Sequence, residues 1–350
     1  MTSAEKSVGP KHNTQRARQD YYDRIAAYGL TPAWERLRDL IGTEPKSQCV
    51  PAIWRFKDVK AMVMDSAELI SAEEAERRVL LLENPGLPGQ SRITQTLLAG
   101  VQLIMPGEIA AGHRHTASAI RFILDGVNAY TTVEAERTYM SPGDFILTPN
   151  WSSHDHGNMT DEPMIWLDVL DVPMINYFET TFCENFDCPT QAVAHQDGDS
   201  AAFFGSGVLP DRAPALRSSP IINYTYARTR PILDLVRATG RIDKRHGARV
   251  RYTNPVNGGW TMPTMGAQLA LLPAGFRGQD YRATDGTIFV CVEGEGSTRV
   301  GGQDLKWSRG DIFVAPPWLQ YAHVTDVESV LFSISDRPAQ EALGIWREIA

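Results

Sequence analysis

"PGDFILTPNWSSHDH" (142–156) and "RGDIFVAPPWLQYAH" (309–323) decide the fold, because one is a worn copy of the other. Both set Gly-Asp before an apolar run, then Pro, Trp and a final His, with every counterpart 167 positions apart. The same separation relates "PGEIAAGHRH" (106–115) to "PAGFRGQDYR" (273–282), and "ILDG" (123–126) matches "CVEG" (291–294) with a shift of one residue. A spacing held over so long a stretch indicates tandem duplication of one structural unit.

The unit itself reads as β. "LAGVQLIMPG", "IRFILDG", "AYTTVE", "DFILTP" and "MIWLDVLDVP" are short apolar stretches separated by Gly, Pro and Asp turns. Such spacing predicts a sandwich or barrel. A second block of this kind runs from about 265 to 335. Between the blocks, 174–228 is irregular and "RPILDLVRATG" predicts a helix ended by Gly240. "RPAQEALGIWREIA" predicts a closing helix. The opening third carries helical signals in "TQRARQDYYDRIAAYGL" and "TPAWERLRDLIG", the latter with Thr31 as N-cap before Pro32, and Ser71 with Glu74 forms a capping box. The expected domains are an N-terminal helical and extended region packing on the barrels (1–95), barrel 1 with the functional site (96–173), a linker with a helix (174–260), and barrel 2 with a C-terminal helix (261–350).

Composition excludes several classes. With 43% hydrophobic and 22% charged residues this is an ordinary globular chain. A net charge of -8 argues against nucleic acid or an anionic membrane as partner. The opening segment lacks an apolar h-region, no 18-residue apolar run occurs, and the four cysteines follow no zinc or disulfide spacing. A cytoplasmic protein with reduced thiols and no membrane contact is expected.

Four of the eight histidines fall in two short segments, His113 with His115 and His154 with His156. Residues i and i+2 of a strand share a face, so each pair points to one side. Two such pairs on strands of one barrel indicate a transition-metal site, since imidazole suits iron, copper, nickel and zinc. At the duplicate positions stand Asp280 for His113, Arg282 for His115 and Tyr321 for His154, with only His323 keeping the partner of His156. The first barrel carries the chemistry, and the second holds no metal.

These segments resemble the two cupin motifs. Gly107, His113, His115 and Gly126 fit the first, with Ala119 where its glutamate stands; Gly143, Pro149, His154 and Asn158 fit the second, with Trp151 in place of its middle glycine. The fold implied is all-β with added helices: a bicupin of two tandem jelly-roll barrels, with N-terminal helices and a C-terminal helix. From about residue 15 onward the chain is similar to gentisate 1,2-dioxygenases and their salicylate-cleaving relatives. "AERRVLLLENPGLPGQSRIT", "AGVQLIMPGEIAAGHRHTASAIRFILDG" and "FSISDRPAQEALGIWRE" are among the stretches that carry the likeness.

That resemblance implies Fe(II), one per chain, on His113, His115 and His154, and dioxygen-dependent opening of a 2-hydroxybenzoate between its carboxyl- and hydroxyl-bearing carbons. It implies that Arg121 binds the substrate carboxylate, with Arg77 preferred over Arg78 as a second arginine. Gln102, Gly100, Leu98 and Asp168 fall on pocket positions. His156 falls on a residue that handles a substrate proton, with a structural hydrogen bond as the equal alternative. Leu98 and Ser153 replace aromatic residues usual in gentisate enzymes, which suggests a 5-substituted ring such as 5-nitrosalicylate, with gentisate close behind. Relatives form homo-oligomers, so a dimer or tetramer is expected. The competing classes are a manganese- or zinc-dependent bicupin decarboxylase or isomerase, disfavoured by Ala119, and a non-catalytic ligand-binding bicupin, disfavoured by the intact histidine trio.

Overall fold

A computed structural model of the chain describes residues 14–211 and 215–349, which fall into two compact units divided between Lys46 and Ser47. In the first unit, helices Thr14–Ala26 and Ala33–Leu40 are tied by Tyr22, whose hydroxyl accepts from Trp34 Nε1 (2.8 Å) and donates to Glu35 (2.6 Å). Thr31 does not cap the second helix. Pro32 occupies the N-cap with φ of -70°, a value its ring imposes, and no side chain bonds the first turn.

The larger unit is the duplication made visible. One six-stranded antiparallel sheet runs in the spatial order Asn223–Tyr224, Phe145–Thr148, Ala119–Asp125, Met164–Leu170, Leu98–Ile104, Arg78–Leu81. The other runs Ala52–Trp54, Ile312–Ala315, Thr287–Glu293, Ser329–Ser335, Gly266–Leu272, Ala248–Arg251, with each duplicated strand in the same place. Each is completed into a barrel by a smaller sheet. In the first barrel that sheet contains Ile109–His115, His154–Gly157 and Tyr130–Val133. In the second it contains Gln303–Ser308, Glu295–Val300 and Tyr321–Val324. The outer faces of the two six-stranded sheets share one apolar core, in which the buried rings of Phe122 and Phe332 stack at 4.0 Å.

Chain segments cross the expected boundaries. Ala52–Trp54 pairs with the second barrel and Arg78–Leu81 with the first, so 47–95 is woven into both. The linker gives Cys183–Asn185 and Asn223–Tyr224 to the first barrel, and Ala248–Arg251 to the second. Edge strands leave their N–H and C=O groups unpaired, and these additions cover them. Helix Tyr226–Ala238 begins five residues before its interior Pro231, because Asp144 Oδ1 accepts the Tyr226 N–H at 2.8 Å. The closing helix spans only Arg337–Ala342. Gly344 (φ 70°) turns the chain, and Glu348–Ile349 then pairs with Arg282–Ala283.

The missing motif glycine has a structural answer. Trp151 adopts φ of 61° and its duplicate Trp318 φ of 64°, the left-handed region where glycine is usual. The Trp151 N–H donates to His115 O and the Trp318 N–H to Ala283 O, while Arg114 and Arg282 stack on the respective indoles at 4.8 and 4.6 Å. Cation–π contact and a backbone bond offset the strained turn.

Candidate active site

The histidines converge through a bulge. Strands Ile109–His115 and His154–Gly157 pair Ala110 with His156 and His113 with His154, so one extra residue lies between these two pairs. The bulge resets the alternation and turns His113 and His115 onto the face of His154 and His156. Its backbone is held by the linker, since Gly112 N–H donates to Pro189 O (2.9 Å) and Phe186 N–H to Gly112 O (3.0 Å). One ligand atom from each of His113, His115 and His154 lies within 4.8 Å of the others, and no carboxylate joins them among the described residues.

The donor set fits a metal. Nδ1 of His115 lies 2.7 Å from Ala117 O, Nδ1 of His154 3.0 Å from Ser152 O, and Nδ1 of His113 3.3 Å from Ala111 O. At His115 and His154 the carbonyl at Nδ1 fixes the proton there and frees the Nε2 lone pair for coordination, whereas at His113 the more distant carbonyl shares Nδ1 with Arg77 Nη2. Burial, reinforced by Arg77, pushes His113 down to about 3; burial also lowers His115 and takes His154 well below its ordinary value. All three are neutral, the ligating form.

Next to the trio stands a buried charge network. Register sets Asp168 opposite Arg121 on one side and opposite Gly100 on the other. Arg121 Nε approaches Asp168 Oδ1 to 3.1 Å, out of line for a hydrogen bond, so charge holds the pair. Burial pushes Asp168 up while Arg121 pulls it down; burial lowers Arg121, which as an arginine stays charged. Trp166 Nε1 donates to Asp168 Oδ2 (2.8 Å), and its ring lies 5.2 Å from the Arg121 guanidinium. Arg121 Nη2 meets His156 Nε2 at 3.2 Å, and Nη1 donates to Thr131 Oγ1 at 3.3 Å. His156 Nδ1 lies 2.5 Å from Thr131 Oγ1, which donates on to Asp155 O. Both nitrogens of His156 thus have partners, and burial with Arg121 holds the ring neutral.

The two candidate arginines separate. Arg77 Nη2 donates to Ala111 O (2.8 Å) and meets His113 Nδ1 at 2.6 Å, whereas Arg78 is bound to Glu108 at 2.5 and 2.6 Å. Leu98, Gly100 and Gln102 share a strand face with the partners of Asp168 and Trp166. The space over Gly100 is already filled: a Cβ there would stand 2.4 Å from Val79 Cγ1 and 3.2 Å from Leu81 Cδ2. Ser153 is engaged elsewhere, with its hydroxyl on Glu134 (3.0 Å) and Gln191 (2.8 Å). Sequence reading missed Val79, Trp166 and Thr131. Strand register brings Val79 and Thr131 to the site, while Trp166, two residues before Asp168 on one strand, was findable by parity.

The second barrel has none of this trio. Register corrects the expected counterparts. Tyr281 stands opposite Tyr321 as His113 stands opposite His154, and Ala283 O accepts the Trp318 N–H as His115 O accepts that of Trp151. Tyr281 and Ala283, rather than Asp280 and Arg282, thus take the places of His113 and His115. Asp280 pairs with Arg299 at 2.8 Å and Arg282 lies on Trp318. It does keep the supporting pair, since His323 Nδ1 lies 2.8 Å from Thr298 Oγ1 as His156 does from Thr131.

Comparison with known proteins agrees with this geometry. A family model described as "Cupin domain" matches residues 100–170. Gentisate 1,2-dioxygenase 1 of Aquipseudomonas alcaligenes is 47% identical over 98% of this chain and 99% of its own. The crystal structure of salicylate 1,2-dioxygenase from Pseudoaminobacter salicylatoxidans with gentisate superposes with a TM-score of 0.90 at 33% identity, covering 99% of this chain and 97% of that one. 5-Nitrosalicylic acid 1,2-dioxygenase of Bradyrhizobium sp is 30% identical, over only 38% of this chain and 66% of its own. The barrel with the histidine trio and its duplicate without it, carried at this similarity over the whole length, make the chain a member of the gentisate and salicylate 1,2-dioxygenase family of aromatic ring-cleaving oxidoreductases.

Proposed function

We propose that this enzyme holds one Fe(II) per chain on His113, His115 and His154 and opens gentisate with dioxygen between the carboxyl- and hydroxyl-bearing ring carbons. The observation that carries the reading is a neutral imidazole trio facing two guanidinium groups, Arg77 and Arg121, with no carboxylate among its ligand atoms. The anion that such a site lacks is the substrate's own. When bound, ferrous iron supplies the electron path between an electron-rich ring and dioxygen, chemistry that side chains alone do not provide.

The protein's part is binding and orientation. Arg121 has N–H bonds left after its contacts with Thr131 and His156, and its planar fork matches a carboxylate. Asp168 balances its charge and Trp166 fixes Asp168. His156 acts as a positioning residue for Arg121 rather than as a base, because its lone pair is engaged by the guanidinium. Arg77 is a second carboxylate ligand. Its donors compete with Ala111 for His113, and an entering carboxylate draws it off that ring.

Gentisate is preferred over 5-nitrosalicylate because the full-length gentisate relative is similar across 98% of the chain, against 38% for the nitrosalicylate relative. This reverses the preference drawn from Leu98 and Ser153, the latter being turned toward Glu134 and Gln191. We also propose a cytoplasmic homo-oligomer, a dimer or tetramer. The thiols are all free, and among the described residues no helix is long and apolar enough to cross a membrane. The test is oxygen uptake by the iron-loaded enzyme on gentisate, salicylate and 5-nitrosalicylate. Gentisate is expected to have the highest kcat/KM, and a higher value for either of the others overturns the substrate assignment.

A further inference from the structure

The interior of the second barrel holds a polar chamber that the ring-cleavage reaction does not use. Its walls include His246, Arg249, Tyr321, His323 and Ser333. Register aligns this chamber with the active site of the first barrel. Ser333 lies opposite Phe289 and Gln268, as Asp168 lies opposite Arg121 and Gly100. Phe289 therefore replaces the buried guanidinium, and Ser333 replaces its carboxylate. The consequence falls on His323. In the first barrel His156 Nε2 is met by Arg121, but His323 Nε2 has no hydrogen-bond partner among the described residues and the Phe289 ring lies 5.0 Å away.

A positive charge re-enters this chamber from another strand. Arg249, on Ala248–Arg251, lines it and makes no ion pair among the described residues. Asp285 and Arg337 line it as well: Asp285 accepts the neutral Trp346 Nε1–H at 2.8 Å, and Arg337 pairs with Glu341. Beside it His246 is only 4% exposed, and its Nε2 is buried without a partner. Burial and Arg249 keep both His246 and His323 neutral. Among the lining residues two guanidinium groups, Arg249 and Arg337, stand against one carboxylate, Asp285, an excess that disfavours a metal cation and favours an anion.

Size narrows the ligand. The free space is about 20 Å³, room for the centre of roughly one water-sized body and far too small for an aromatic acid. We propose that the second barrel binds one small monovalent anion of chloride size, held by the Arg249 guanidinium with the Tyr321 hydroxyl as a neutral donor. The barrel that lost its metal site becomes an anion site of reversed charge, and its occupant braces Ala248–Arg251 from inside.

Bromide, an anomalous scatterer close to chloride in size, tests this in crystals of the iron-loaded enzyme. An anomalous peak among Arg249, His246 and Tyr321 is expected; a chamber holding only water overturns the proposal. In solution, replacing gluconate by chloride at constant ionic strength should raise the Tm of the wild-type enzyme by about 2 °C, and that of Arg249→Gln not at all. Equal shifts in both proteins overturn it. Should Arg249→Gln fail to fold, the bromide map on the wild type decides alone.

Discussion

Arg121 and Asp168 face each other across neighbouring strands at 3.1 Å, one 4% and the other 9% exposed at the side chain, so the buried cation beside the histidine trio is balanced by a buried anion. Breaking such a pair from one side leaves an uncompensated charge and costs about 3–5 kcal/mol. Asp168→Ala should lower the unfolding free energy by about that amount in a denaturant titration. Arg121→Lys keeps the charge but loses the fork, and should raise KM for gentisate at least about tenfold with iron content unchanged.

Single alanine substitutions at His113, His115 and His154 should each cut bound iron from about one per chain to below about a tenth. Oxygen uptake should fall about a hundredfold or more. Metal analysis of the purified proteins, beside the same assay after adding ferrous ion, checks both. Iron content unchanged in any one variant would remove that residue from the ligand set.

The glycine at 100 is held small by a neighbour rather than by an empty pocket. A Cβ there meets Val79 Cγ1 at 2.4 Å, and a β-branched side chain has little freedom to retreat. Gly100→Ala should cost about 1–3 kcal/mol by overpacking. Val79→Ala in the same chain should recover most of it, so the double-mutant cycle is strongly non-additive. Additive losses would show that the two side chains do not meet.

Acid should destabilise the second barrel through its buried imidazoles. His323 is pushed down to about 3 by burial, so between about 6.5 and 3 the unfolded chain takes up a proton that the folded one refuses. Stability from this group is complete above about 6.5 and is lost as pH falls, by about 1.4 kcal/mol per unit. Asp336, pushed up to about 6 by burial, acts oppositely; its contribution is greatest below about 4 and is lost as pH rises through 6. His246 adds to the first effect, so imidazoles outweigh the carboxyl. Replacing His323 with glutamine should flatten the acid limb of a stability–pH curve, and replacing Asp336 with asparagine should steepen it.

Much of this was legible as spacing. The duplication, the histidine trio and the inert second copy all follow from residues repeated at fixed intervals, because a strand converts sequence parity directly into a shared face. Ala119 in place of glutamate already pointed to a site without a carboxylate. What escaped depends on partners set by register. Val79 reaches Gly100, and Thr131 reaches Arg121 and His156, only because distant strands pair in one alignment, whereas Trp166 stands two residues from Asp168 on one strand, where parity alone could have found it. The N-terminus of helix Tyr226–Ala238 was unreadable for the same reason, since its donor group is met by Asp144 from a turn 82 residues earlier. At the C-terminus, Gly344 and the pairing of Glu348–Ile349 overruled local helical periodicity.

The left-handed indoles at 151 and 318, each under an arginine, recur in both halves although only one half carries the histidine trio. So does the Thr–His couple. Features inherited by a chemically silent twin cannot owe their survival to turnover. They are masonry common to both copies, which leaves the working copy's remaining wall positions at liberty to drift toward new aromatic acids without loosening the building.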